Sequence, residues 1–199
     1  LQALLGVQQG FSADHVLTMR IATPPGLGRD SLPGFHARML ERIAALPGAT
    51  GAALTDCPPL NGGCNGTVVA LRDRPPAAAG GEPVVGVHWV TPGWFGVLHV
   101  PLRRGRLFTS ADSRNAPKVV LVNETAARRL WPNEDPIGRP VSVGQGGFWD
   151  DTATVVGVVG DVRYGTADSL PVPDVYLSYA QSPSGRAMLF VRTAGDPLG

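Results

Sequence analysis

The apolar run from Val119 to Val122 breaks at Asn123, after which Ala126, Ala127, Leu130 and Trp131 recur at helical spacing until Pro132 interrupts them. This pattern predicts a strand, a short helix capped by Asn123 and a turn. Upstream, His15–Ile21 alternates, with Leu17, Met19 and Ile21 on one face and Thr18 and Arg20 on the other, as in a half-buried strand. Leu32, Phe35, Met39, Ile43 and Leu46 then fall three and four apart. That stripe predicts a helix lying on a sheet, with Asp30 or Ser31 as its cap and Pro47-Gly48 as its end. A small-residue strand follows at Ala49–Leu54, so residues 15–55 read as a βαβ unit.

From Cys57 to Gly66 the composition turns to Pro, Asn and Gly, which marks a boundary. Further strands are expected at residues 67–72, 83–90, 118–122, 139–143, 152–159, 174–178 and 187–191. Thr91 is expected to cap a short helix with Pro92 at its first position, followed by Trp94, Phe95 and Leu98. The fold class implied is α+β, a βαβ part carrying an inserted, mostly-β part with short helices. At the ends, Leu1, Leu4 and Leu5 share a helical face with no cap before them, and Asp196-Pro197 announces another helix. Both ends are therefore expected to continue into helices of a larger protein.

With 199 residues there is length for a sizeable core, and 26 glycines and 19 prolines fit many short strands joined by turns. Seventeen basic and sixteen acidic residues nearly cancel, which argues against nucleic acid as a partner. The densest basic spot, Arg103, Arg104 and Arg106, reads as a solvated turn. No run of eighteen apolar residues is present to span a bilayer.

Residue chemistry gives no catalytic set. Gly144–Gly147 and Gly157–Gly160 lack the spacing of a phosphate-binding loop and are expected to be hairpin turns. His15, His36, His88 and His99 have no short ligand spacing and are expected at the surface or half-buried, so no metal site is expected. No G-x-S-x-G occurs, and the adjacent carboxylates Glu134-Asp135 and Asp150-Asp151 suit capping or solvation rather than acid–base work. Cys57 and Cys64 match neither a zinc nor a thioredoxin-type spacing; a loop of this length allows either a disulfide or two free thiols.

Six phrases carry a resemblance to a known family. They are Val90–Phe95 (VTPGWF), Pro101–Phe108 (PLRRGRLF), Val120–Gly138, Val155–Arg163 (VVGVVGDVR), and Pro173–Leu177 with Val191–Pro197 (VRTAGDP). In this order the chain resembles the periplasmic core domain of MacB/FtsX-type ABC-transporter permeases. The resemblance implies that residues 1–13 end a helix leading from the membrane. Residues 14–62 and 183–199 would form a porter-like part, incomplete at its end, and 63–182 an inserted Sabre-like part. It further implies a non-catalytic domain at the extracytoplasmic face of the bacterial inner membrane, with no cofactor, passing conformational change from cytoplasmic ATP hydrolysis to export or partner engagement. Implied partners are the parent transmembrane helices, a cognate ATPase, a second permease copy or half, and a periplasmic adaptor or export cargo. Phe148 and Trp149 are candidate contact aromatics in a Gly/Asp loop, whereas Trp94 and Phe95 are expected in the core. Two competing readings are a periplasmic small-ligand-binding domain, which needs a polar pocket, and a hydrolase, which needs converging Ser, His and Asp.

Overall fold

Among the described residues, strands dominate wherever β-branched residues cluster, and three α-helices occupy the 3.6-periodic stretches. The structure is a computed structural model and describes residues 9–63, 65–75, 78, 81–144, 152–166 and 168–196. In chain order, β1 (Val16–Ile21), α1 (Leu32–Ala44) and β2 (Ala49–Thr55) lead into β3 (Gly66–Leu71) and β4 (Val84–Val90). Next come α2 (Trp94–Val97), β5 (Leu102–Gly105), β6 (Val119–Asn123) and α3 (Glu124–Leu130). The chain continues with β7 (Pro140–Val143), β8 (Ala153–Val159), β9 (Asp174–Ser178) and β10 (Ala187–Thr193).

Local chemistry sets the helix starts. Asn123 Oδ1 accepts from the Ala126 N–H at 2.8 Å, which makes it the cap of α3 as its position predicts. The other two starts differ from expectation. Ser31 holds the cap position of α1 without a side-chain cap bond, and Asp30 instead accepts from Arg114 Nη1 at 2.5 Å. Helix α2 begins at Trp94 rather than Pro92, because Thr91 Oγ1 is committed to the Leu54 N–H at 2.8 Å.

The βαβ unit is split. β10 lies between β1 and β2, antiparallel to both, so the two strands flanking α1 are not edge neighbours. Beyond β2, where Thr55 registers with Val90, the pairings run β4–β3–β7–β8–β6–β9, and β9 returns to pair parallel with β4. These six strands close a ring. β5 pairs with β8 beside the ring, so the arginine-rich segment is a short exposed strand and not a turn. Its cations are paired: Arg103 with Glu124, Arg104 with Asp135 at 2.6 Å, while Arg106, just past the strand, meets Asp112 through two 2.8 Å contacts. Gly157 also departs from expectation, since it lies inside β8. A Cβ there would stand 2.2 Å from the Arg106 carbonyl oxygen, so the close approach of that segment requires glycine.

All six ring strands feed one hydrophobic cluster, five of them through residues of one parity, among them Val69, Val87, Val122, Val143, Val155 and Leu177. That cluster is the inside of the ring, and Leu130 and Trp131 at the end of α3 pack into it. The opposite face, with Val90, Leu121 and Tyr176, packs under α2 in a second cluster; β8 changes parity past its register shift against β6, so Val158 joins the first cluster and Val159 the second. Trp94 and Phe95 are fully buried there, as expected, with Trp94 edge-on to Phe190 at 4.8 Å. Each cluster also draws on residues outside the ring: Leu54 and Leu189 in the first, Ala53 and Phe190 in the second. The ring and the β1–β10–β2 sheet thus share their interiors.

Two histidines expected near the surface are in fact buried. The stripe of α1 that faces inward is Leu32, His36, Met39, Leu40 and Ile43, whereas Leu46 lies past the helix end and is 57% exposed. His36 stands edge-on to Tyr179 at 5.6 Å, and burial holds its pKa below the usual histidine value. The second is His88.

Candidate functional site

The parallel seam between β4 and β9 brings together residues that the sequence keeps far apart. Registration of Gly86 with Asp174 and of His88 with Tyr176 places His88 Nε2 2.8 Å from Asp174 Oδ1, with both side chains buried. Burial raises the Asp174 pKa, against the pull of His88. A Cβ on Gly86 would sit 2.1 Å from Asp174 Oδ1, so the carboxylate occupies space that only glycine leaves free.

Asn123 completes the arrangement. Its Oδ1 accepts from both the Ala126 and Asp174 N–H groups, and its Nδ2 donates to the Val172 carbonyl at 2.7 Å and to Asp174 Oδ2 at 3.2 Å. All four hydrogen-bonding positions of the amide are used. The ring of Tyr164 stacks on His88 with centroids 3.6 Å apart and planes 14° from parallel. Burial pushes the Tyr164 and Tyr176 phenols above their usual range. His88 Nδ1 has no hydrogen-bond partner among the described residues.

Above this seam lies a groove of about 370 Å³, lined by His88, Tyr164, Asp174, the exposed apolar side chains Val84, Leu170 and Val172, and Arg129. Among the described residues no group of three or more His, Cys, Asp or Glu side chains converges to hold a metal ion.

A third feature is the chain's entry into the fold. Arg163 N–H donates to the Gln9 carbonyl at 3.2 Å and Ser12 N–H to the Leu98 carbonyl at 2.8 Å. Gly10, at φ +79°, lies so close to Asp161 that a Cβ would come within 1.7 Å of its carbonyl oxygen. From β10, Arg192 reaches the carbonyls of Val97, Asp14 and Ser12 at 2.6, 2.7 and 2.8 Å. Residues 9–14 are thereby latched to the ring, to α2 and to the β1–β10–β2 sheet together.

Of the residues singled out from sequence, Cys57 is buried at the end of β2 and is not a free thiol, while Cys64 lies outside the described residues. Phe148, Trp149 and the pair Asp150-Asp151 also lie outside them, as do residues 1–8 and 197–199. Glu134 is held by Arg74 and by Arg139, the latter at 2.8 Å. The seam cluster was not foreseen, because nothing local links position 88 to position 174. One available signal was an aspartate opening the mostly apolar strand DVYLS.

The comparisons with known proteins agree with the architecture. The family described as MacB-like periplasmic core domain matches residues 2–196. The macrolide export ATP-binding/permease protein MacB of Aggregatibacter actinomycetemcomitans is 33% identical over 72 residues, 36% of this chain and 10% of that protein. Its counterpart in Mannheimia succiniciproducens is 30% identical over 76 residues, 38% of this chain and 11% of that protein. The chain thus aligns with only about a tenth of the length of these relatives.

Among solved structures, the periplasmic region of MacB from Actinobacillus actinomycetemcomitans superposes with a TM-score of 0.60 at 16% identity, covering 100% of this chain and 82% of that one. The extracellular domain of the noncanonic ABC-type transporter YknZ from Gram-positive bacteria gives 0.56 at 11% identity, covering 90% and 84%. These two likenesses show the shared fold. With the family match spanning nearly every residue, the chain belongs to the family of MacB-like periplasmic core domains.

Proposed function

We propose that this chain is a non-catalytic extracytoplasmic body of a MacB/FtsX-type ABC permease, which carries displacement of membrane helices to a partner or cargo. The observation that carries the reading is the latch at residues 9–14. A force arriving along the chain at Gln9 meets hydrogen bonds to the ring, to α2 and to β10 rather than a free linker. Two interiors shared between the ring and the β1–β10–β2 sheet support the same reading, since packed cores move as units and transmit strain. Among the described residues no helix is long and apolar enough to cross a membrane, so the displacement would be generated elsewhere.

On this reading residues 14–62 with 183–199 form the porter-like part and 63–182 the Sabre-like part. The site is the outer face of the inner membrane, and the partners are the parent's transmembrane helices, an ATPase and a second permease copy or half. An adaptor or export cargo would meet the exposed surface, with Phe148 and Trp149 as contact aromatics. No cofactor is required of the domain itself. We also assign Cys57 and Cys64 to one disulfide, supported by the absence of a free thiol at Cys57 and by the oxidising compartment.

The test is deletion of residues 9–196 from the parent permease, with ATPase activity and export measured separately. ATP hydrolysis that persists while export is lost supports coupling; export that survives the deletion overturns it.

A further inference from the structure

Three of the seven large apolar side chains exposed among the described residues sit on one groove: Val84 at 62%, Leu170 at 81% and Val172 at 51% exposure. Scattered exposed apolar residues need no explanation, but their convergence on a concave surface does. The groove, at about 370 Å³, falls within the roughly 300–1,000 Å³ typical of small-molecule sites. Its wall is apolar, and the floor groups His88 and Tyr164 are buried beneath it.

Charge completes the description. Asp174, the acid of the groove, is already bonded to His88 and Asn123. Arg129 lies on the same groove, is exposed on α3, and has no ion pair among the described residues, whereas its neighbour Arg128 is bonded to Asp161. A single unspent guanidinium beside an apolar trough matches one planar anion on an apolar body. A phosphate or sulfate head would call for more than one cation.

We propose that this groove binds a small amphipathic carboxylate, with its apolar body against Val84, Leu170 and Val172 and its carboxylate on Arg129. The anion sits at the rim, away from Asp174, and the apolar end reaches toward the Tyr164 ring. This site is independent of the latch at residues 9–14, so the coupling role stands or falls separately.

Decanoate is the probe, titrated into this chain by calorimetry below its micellar concentration, with decan-1-ol, decyl phosphate and acetate as comparators. The expected result is saturable binding of one decanoate per chain, at least tenfold tighter than decan-1-ol or decyl phosphate and at least a hundredfold tighter than acetate. Arg129→Gln removes the preference, bringing decanoate to the affinity of decan-1-ol. Leu170→Ser, at a position too exposed to disturb folding, weakens decanoate and decan-1-ol alike by tenfold or more. Arg20→Gln, on β1 and outside the groove, changes nothing.

The proposal is overturned by any of three results. These are no saturable binding, uptake of many decanoates per chain, or an affinity for decanoate that Arg129→Gln leaves intact. Tighter binding of decyl phosphate than of decanoate overturns the carboxylate assignment.

Discussion

Asn123 and Asp174 hold each other reciprocally: the Asp174 N–H donates to Asn123 Oδ1 at 3.0 Å, and Asn123 Nδ2 donates back to Asp174 Oδ2 at 3.2 Å. One amide thus caps α3, fixes the start of β9 and orients the carboxylate that meets His88. Replacing Asn123 by Ala removes the cap and leaves the buried Asp174 N–H without its acceptor. The expected loss is about 2–3 kcal/mol, read from denaturant unfolding at constant m-value. Asn123→Asp keeps the acceptor but sets a second carboxylate against Asp174, so its deficit should grow between pH 5 and pH 7.

Burial raises the pKa of Asp174, and that of Asp56, above the ordinary aspartate value. In each case the folded state holds its proton at a pH where the unfolded chain has released it. Stability therefore falls as the pH rises from about 4 through the folded pKa, then levels off. Asp112 has the opposite sign: hydrogen bonds from Arg106 lower its pKa, and its contribution, present above the unfolded value, is lost as the pH falls through the folded one. Asp174→Asn should thus gain on the parent chain as the pH rises from 4 toward 7. A gain that does not change with pH would refute the assignment.

Gly86 keeps the space that Asp174 Oδ1 occupies. Gly86→Ala is expected to cost about 1–3 kcal/mol, as overpacking does, by pushing the carboxylate off His88. The cost should shrink when Asp174 is already Ala, giving a coupling of about 0.5–3 kcal/mol in a double-mutant cycle. Additive costs would mean that the glycine is needed for another reason.

The latch at the chain's entry is tested at Gly10 and Arg192. Gly10→Ala combines a positive φ with a contact against the Asp161 backbone, so residues 9–12 should detach, at a local cost of at least about 1–2 kcal/mol. Arg192→Lys keeps the charge but loses the fork that reaches three carbonyls. Both should raise the amide exchange rates of Ser12 and Arg163 while sparing those of β6 and β9. In the parent permease both should uncouple ATP hydrolysis from export.

Thiol titration of the denatured, unreduced chain should find no free cysteine if Cys57 and Cys64 are joined. Replacing both by Ser should then cost about 2.5 kcal/mol on the chain-entropy account of a loop of this length. Two titratable thiols would refute the pairing.

Much of the local structure was legible from residue order alone. The Asn123 cap, the helix after it, the presence of α1 and the strands around Val87, Val120 and Val155 follow from neighbours three or four apart, or from the β-branched runs that pack well on a sheet. Capping and periodicity are short-range, so a single sequence carries them. The insertion of β10 between β1 and β2, the closing of the ring through β4 and β9, and the meeting of His88 with Asp174 were decided only in three dimensions. β6 and β9 are buried on both faces, so alternation gives them no face and no partner. His88 and Gly157 read locally as a near-surface side chain and a turn. They became a buried hydrogen-bond partner and a close-contact position only when distant backbone arrived beside them.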